Sequence, residues 1–564
     1  MGCANHPAFP EEHTMARLNG GQAVIESLLA QGVDTIFGII SVHTLDIYDA
    51  LYDHREAIRF ISTRHEHAAA TMADGYARAT GRPGVCFTST GPGAAYSMGG
   101  IGEAYAASSP VLHITSTAEE DLYARGLGAT HDTKDQLGML NTVSGWACHV
   151  RRPEEVPDRI YEAFVRFQTQ RPRPIAIEIP VDVQSQVAEM EIPQRTEISP
   201  PQGDPALVER AARALLSGKR VAIWAGAGVH RSGASAELVR LAETLGVPVF
   251  ATQEGKGAIP QDHPLSLGVL GGMSPFLRPN PVQDPVRAFM ESLDTLLVVG
   301  SSLSHLKTKA VGLQMPPNLV HVDIDPDPVG KLYPTAVGVV GDARMVLRQI
   351  TAAVHGKTAH LAPGFQREVS EVKDKAAQYW WQFMPNQMRT FEAIRGVTAR
   401  DAIFMGDASV SALRGSTYCL PATDQRTYFT PHWLGLGFAF PAAAGAKAGL
   451  PDRQVVCITG DGGFQFNMQE IGTCVQYGLN PVVLVFNDNA WGILKMRQRD
   501  LMGGRFIGTD LVNPDFVKLA ESYGANGVRV SSVKELVPAL GSALKSDTIT
   551  IIDVQTPDGF ENFT

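Results

Sequence analysis

Basic clusters are missing from this chain. Of its 564 residues, 48 are Lys or Arg against 58 Asp or Glu, a formal net charge of −10. Phosphate backbones are gripped by grouped Lys and Arg, so this balance excludes nucleic acid as a partner. Cysteine is scarce too. The six thiols (Cys3, Cys86, Cys148, Cys419, Cys457, Cys474) form no Cys-x-x-Cys pair. In a chain this long they read as reduced thiols rather than a disulfide framework, the usage of a cytoplasmic protein. No apolar run approaches the ~20 residues of a membrane helix. Residues 1–16 carry Pro7, Pro10, Glu11 and Glu12 and no apolar core. They predict a mobile extension and not a secretory signal. Met1-Gly2-Cys3 opens like an acylation site, but His6 stands where Ser or Thr is preferred. No short-period repeat is visible.

What remains is a packed globular composition, 44% hydrophobic and 19% charged. Short buried-strand patterns alternate with helical ones, which predicts an α/β fold of three Rossmann-like βα domains with mostly parallel sheets. The first spans 17–187, with strands expected at Val33–Gly38, Gly84–Thr88, Pro110–Thr115 and Pro174–Pro180. A polar, proline-bearing stretch, Gln184–Asp204, reads as a linker. The central domain spans 205–355, with strands at Arg220–Trp224, Thr295–Gly300 and Leu319–Asp325. Its Gly226-Ala227-Gly228, with the next glycine at Gly233, departs from the dinucleotide spacing and reads as a tight turn. After a partly helical connection from Gly356 to Pro385, a third domain covers 375–560. Its strands are expected at Ala402–Met405, Gln454–Thr459, Pro481–Phe486 and Thr548–Asp553.

Two stretches carry chemistry. The strand Gln454–Thr459 runs into Gly460-Asp461-Gly462-Gly463, and the next strand runs into Asn487-Asp488-Asn489-Ala490. Ligands collect at the carboxyl ends of such strands. Glycines let backbone approach a phosphate, and carboxylates offer hard oxygens to Mg²⁺. A helix from about Met468 would aim its N-terminus at the anion. The other stretch, Arg64-His65-Glu66-His67-Ala68-Ala69-Ala70 through Asp74-Gly75-Tyr76-Ala77-Arg78, puts one carboxylate on a helix of small residues.

Together these stretches resemble thiamine diphosphate-dependent enzymes, in particular the group of acetolactate synthases, benzaldehyde lyase and 2-oxoacid decarboxylases, including 2-oxo-5-guanidinopentanoate decarboxylases. The resemblance runs from about residue 17 to 555. It implies that the three domains are pyrimidine-binding, central and diphosphate-binding. By the family's Gly-Asp-Gly…Asn-Asn motif, the metal ligands are Asp461, Asp488 and the carbonyl of Ala490, with Asp488 replacing the commoner Asn. Gly460, Gly462 and Gly463 would line the diphosphate. In Leu434-Gly435-Leu436-Gly437-Phe438, Leu436 would wedge under the bent cofactor and Gly435 would offer its carbonyl to the 4′-amino group. Glu66 would hold N1′ of the aminopyrimidine and favour the imino form that deprotonates the thiazolium.

The substrate side follows the same resemblance. His43, five residues after Gly38, is the first candidate for proton transfer. In His-x-x-Lys-Asp-Gln, His131 would be a further catalytic candidate at a polar rim and Gln136 a residue of the substrate pocket. Ser89 and Thr90 occupy the place of the His-His pair of pyruvate decarboxylases, and Leu494 stands where those enzymes carry a Glu. With Ile493 it implies an apolar pocket. The implied reaction is carbon–carbon bond cleavage or formation on a 2-oxoacid, through ylide addition, decarboxylation and an enamine that is protonated or captures an aldehyde or ketone acceptor. An acyloin or diketone lyase of benzaldehyde-lyase type is the alternative within the family. A flavin-binding oxidoreductase or a non-catalytic homologue is the alternative outside it. FAD or ADP could occupy the central domain, as some relatives keep FAD structurally. A homodimer or homotetramer is implied, because in this family one subunit supplies the Glu and another the diphosphate site.

Overall fold

The computed structural model describes residues 15–270, 284–557 and 563. The expected extension 1–16 falls outside it up to residue 14. Three six-stranded sheets, parallel throughout, follow one another along the chain. The first is ordered Arg59–Ser62, Thr35–Gly38, Gly84–Thr88, Val111–Thr117, Ile175–Pro180, Trp146–His149. The central one runs Ser266–Val269, Val249–Ala251, Val221–Ala225, Thr295–Val299, Asn318–Asp323, Val337–Val340. The third runs Tyr428–Phe429, Ile403–Gly406, Val455–Gly460, Val482–Asn487, Thr550–Gln555, Asn526–Val530.

Each inner strand is a run of buried Val, Ile, Leu and Ala, as a parallel sheet covered on both faces requires. Each sheet winds outward in both directions from a central switch in strand order, and a crevice opens at the carboxyl ends of the two strands flanking that switch. In the first sheet these are Thr35–Gly38 and Gly84–Thr88. In the third they are Ile403–Gly406 and Val455–Gly460.

Two expectations need correction. The stretch Gln184–Asp204 is not all linker: Val187–Met190 pairs antiparallel with Ala16–Asn19, tying both ends of the first domain together. So Ala16 belongs to a strand, not to an extension. The connection before the third domain is partly helical, as expected, and holds the 19-residue helix Phe365–Phe383.

The small-residue helix Glu66–Thr80 packs against the equally small Ala439–Gly449 of the third domain. A Cβ on Gly75 would overlap the carbonyl of Ala442. Backbone-to-backbone approach, which only small side chains permit, explains the run of alanines in both helices. One buried core, including Phe37, Ala69, Met72, Met405, Ala443 and Phe464, spans the two domains.

Candidate active site

In the third domain, the strand Val455–Gly460 passes directly into a short helix, Asp461–Phe464. A helical turn thus begins at the strand end itself, ahead of the helix expected from about Met468, which is Glu470–Tyr477. Asp461 is buried in this turn. The neighbouring strand Val482–Asn487 delivers Asp488, then Asn489 with φ of +52°. Burial holds both carboxyls above the ordinary range, and the charge of Asp461 pushes Asp488 further up. Ala490 sits in a bridge to Asp510, whose hydrogen bonds use the Asn489 carbonyl and the Trp491 N–H; the Ala490 carbonyl takes no part in them.

A cavity of about 270 Å³ opens here, lined by Gly460, Asp461, Gly462, Gly463, Asp488, Ala490, Leu434, Leu436, Ser409, Ser411, Ile493 and Leu494, among others. Leu436 lines it; Gly435 stands exposed outside the lining. Among the described residues there is no group of three or more His, Cys, Asp or Glu side chains suited to a metal. Any cation here would lean on two carboxylates plus neutral oxygens. Two buried carboxylates raised by desolvation fit that demand, since a divalent cation offsets the charge they cannot delocalise into water.

Two residues of this half went unnoticed in the sequence. Asn513 donates to Asp461 Oδ2 at 2.6 Å, to Asn487 Oδ1 at 2.9 Å and to Asn489 Oδ1 at 3.2 Å, fastening both strand ends together. Asp407 is buried and accepts from the N–H groups of Ala408 (2.7 Å) and Gly437 (3.2 Å) and from the Thr459 hydroxyl (2.9 Å). Burial pushes its pKa up to about 6. A Cβ on Gly463 would stand 2.7 Å from Asp407 Oδ2, so that glycine makes room for the carboxylate. Neither residue stands in a motif. Asp407 could have been suspected from its place just past the strand ending at Gly406.

The second half lies in the first domain. Glu66 opens the helix Glu66–Thr80, with the His65 side chain as its N-cap accepting from His67 N–H at 3.1 Å. Glu66 is half-buried and makes no side-chain hydrogen bond among the described residues. Its Oε1 lies 3.3 Å from where a Cβ on Gly93 would be. His43 is 9% exposed, and its Nδ1 is buried without a hydrogen-bond partner. Its ring centroid is 4.9 Å from that of His131. Burial lowers the His43 pKa, and His131 lowers it further. His131 is exposed and holds a left-handed backbone, φ +64°, a conformation that costs free energy in a non-glycine residue.

Ser89 and Thr90 are buried, and the Ser89 hydroxyl has no partner. Gln136 differs from its expected place in the substrate pocket. It is 4% exposed, and its amide is fully engaged. It donates to Ser116 O and Glu178 and accepts from Thr90 and from Gly91 N–H. Glu66, His43, His131, Ser89 and Thr90 do not line the third-domain cavity, whose walls come from residues 408 and beyond. Within one chain the two groups of candidate residues therefore do not share this cavity.

Comparison with known proteins accords with this division. Residues 18–139 match the model of the thiamine pyrophosphate enzyme N-terminal TPP binding domain, 208–350 the central domain and 407–554 the C-terminal TPP binding domain. A probable acetolactate synthase large subunit of Methanocaldococcus jannaschii is 34% identical over 95% of this chain and 92% of its own length. A probable 2-ketoarginine decarboxylase of Pseudomonas aeruginosa is 32% identical, covering 95% and 94%. Acetolactate synthase isozyme 3 large subunit of Escherichia coli is 30% identical, covering 97% and 96%.

Proposed function

The chain belongs to the thiamine pyrophosphate enzyme family, and from that premise we propose an acetolactate synthase-like enzyme that uses thiamine diphosphate and Mg²⁺ to break or make a carbon–carbon bond on a 2-oxoacid. The observation that carries the reading is the buried pair Asp461 and Asp488 at neighbouring strand ends, beside a glycine turn and an apolar cavity. Asp461, Asp488 and the Ala490 carbonyl would hold the metal. The N–H groups of the 460–463 turn would receive the diphosphate, and Leu436 would support the cofactor from the cavity wall. When bound, thiamine diphosphate supplies a nucleophilic carbon and a sink for the electrons left when CO₂ departs.

The remaining work falls to the first domain. Glu66, free of other hydrogen bonds, would hold a proton at the aminopyrimidine ring. His43, kept neutral by burial, would take a proton from or return it to the substrate oxygen. Since neither faces the cavity of its own chain, the complete site would form between two copies, Glu66 of one over Asp461 of the other, in a homodimer or homotetramer.

The apolar lining at Ile493, Leu494 and Leu434 supports a hydrophobic substrate or acceptor. A second reading, simple decarboxylation of a 2-oxoacid with a cationic end, is favoured by the similarity to the probable 2-ketoarginine decarboxylase. A panel of 2-oxoacids assayed for CO₂ release, with and without aldehyde or ketone acceptors, tests the proposal. Capture products on apolar substrates support the first reading, and acceptor-independent release from a cationic 2-oxoacid supports the second. The absence of cofactor-dependent CO₂ release across the panel counts against both.

A further inference from the structure

Glu178 carries a carboxylate with no solvent exposure in the middle of the buried strand Ile175–Pro180, and the chemistry above makes no use of it. Both of its oxygens are engaged. Oε1 accepts from the Tyr123 hydroxyl at 2.6 Å and meets His149 Nδ1 at 2.9 Å. Oε2 accepts from Gln136 Nε2 at 3.0 Å. His149 is the register partner of Glu178 on the neighbouring strand. Its Nε2 meets Glu120 at 2.7 Å, and its ring lies 4.0 Å from that of Tyr123. Burial alone would lower the His149 pKa, but the hydrogen bonds with Glu178 and Glu120 outweigh it and leave it raised. The buried carboxylate thus faces a histidine whose protonated form these hydrogen bonds favour, the kind of partner a charge in an apolar sheet needs.

The far end of Gln136 reaches the active-site half. Its Oε1 accepts from the Thr90 hydroxyl at 3.1 Å and from Gly91 N–H at 2.7 Å. Gly91 has φ of +56°, and a Cβ there would overlap the carbonyl of His131. Two residues on, Gly93 lies against Glu66. Contacts therefore run unbroken from Glu178 through Gln136 to the turn beside both Glu66 and His131. A carboxylate is an acceptor only. Together with the Ser116 carbonyl, which also accepts from Gln136 Nε2 at 2.8 Å, it orients the Gln136 amide with its NH₂ toward residue 178 and its oxygen toward Gly91. A neutral amide at position 178 could face Gln136 with either end, leaving Ser116 O and Gly91 N–H alone to hold that orientation.

We propose that Glu178, paired with His149, is a positioning residue that fixes the Gln136 amide and, through it, the Thr90–Gly91 turn against which Glu66 and His131 are set. The proposal rests on the function proposed above, in which those two residues face cofactor and substrate. It is tested with Glu178→Ala and Glu178→Gln in the full-length protein, by hydrogen exchange over residues 89–95 and by steady-state kinetics. In Glu178→Ala, exchange over 89–95 should accelerate and kcat should fall about tenfold or more, the scale of one lost charge-assisted hydrogen bond. KM should rise as His131 loses its support, while the affinity for thiamine diphosphate should change far less than kcat, because the diphosphate half lies in another domain. Glu178→Gln should fall between Ala and the parent, and it decides the matter if the Ala variant does not fold. Unchanged exchange over 89–95, or a kcat loss matched by an equal loss of cofactor affinity, would overturn the proposal. A parent protein without cofactor-dependent turnover would refute the function instead, while the exchange readout would still decide whether Glu178 holds the turn.

Discussion

Asp461 and Asp488 stand at the ends of adjacent parallel strands, and the charge of Asp461 adds to the burial that lifts the Asp488 carboxyl. A carboxyl whose pKa is higher folded than unfolded binds more protons in the native state. Stability then falls as pH rises from the ordinary carboxylate range to the raised one, and stays low above it. Without metal, Asp488→Asn should therefore raise Tm near pH 8 by about 2–4 °C, the scale of 1 kcal/mol in a domain of this size, and change little near pH 4. Saturating Mg²⁺ with thiamine diphosphate should shrink the gap. Calorimetry at the two pH values checks this, and equal Tm values at pH 8 would argue that the two carboxylates do not repel.

Asp461→Ala removes a charge and a ligand oxygen, and leaves Asn513 without its shortest partner. Binding of thiamine diphosphate should be abolished. Trp491 lines the cavity, so quenching of tryptophan fluorescence on cofactor addition follows it directly. Retained quenching at the parent's cofactor concentrations would move the diphosphate elsewhere.

Asp407→Ala strips the acceptor from Gly437 N–H and the Thr459 hydroxyl, and unsatisfied buried donors cost about 1–3 kcal/mol. The Leu434–Phe438 turn should loosen and cofactor affinity should fall with it, while Asp407→Asn, which keeps one acceptor oxygen, should retain more. The same fluorescence titration checks both variants.

His43→Ala should lower kcat by about 10²–10⁴-fold, the usual worth of a positioned proton-transfer group, with cofactor binding intact. Since burial and His131 both lower the His43 pKa, the neutral base should persist below the ordinary histidine range and activity should be lost only as pH falls further. His131→Ala should act mainly on KM. Near-normal turnover in His43→Ala would assign the proton to another group.

Much of this site could be read in the chain before its structure. Gly460-Asp461-Gly462 and Asn487-Asp488 follow continuous apolar runs, so strand, turn and ligand were legible together. The inner strands declared themselves in the same way, except the three-residue Val249–Ala251, too short to stand out. The edge strands did not: Arg59–Ser62 and Asn526–Val530 are partly exposed, and their mixed composition hides the pattern. Asn513 and Glu178 were invisible because their roles depend on contacts with residues far away in sequence, and Asp407 offered only its place just past a strand end. Gln136 looked like a substrate contact because its His-x-x-Lys-Asp-Gln setting resembles that of 2-oxo-5-guanidinopentanoate decarboxylases, and only the geometry shows that its hydrogen-bonding capacity is spent on Thr90, Gly91, Ser116 and Glu178.

If the site is shared between copies, two inactive variants should complement each other. Mixed and re-associated Glu66→Gln and Asp461→Ala chains should regain about a quarter of parental activity, as random pairing in a twofold dimer gives. No recovery after verified exchange of chains would place both halves in one subunit.

The most direct test of the whole account is reconstitution of metal-free, cofactor-free protein, following CO₂ release from a 2-oxoacid it turns over. Thiamine diphosphate and Mg²⁺ added together should restore turnover, and either alone should leave it near zero. Full turnover with both withheld would contradict the account at its root.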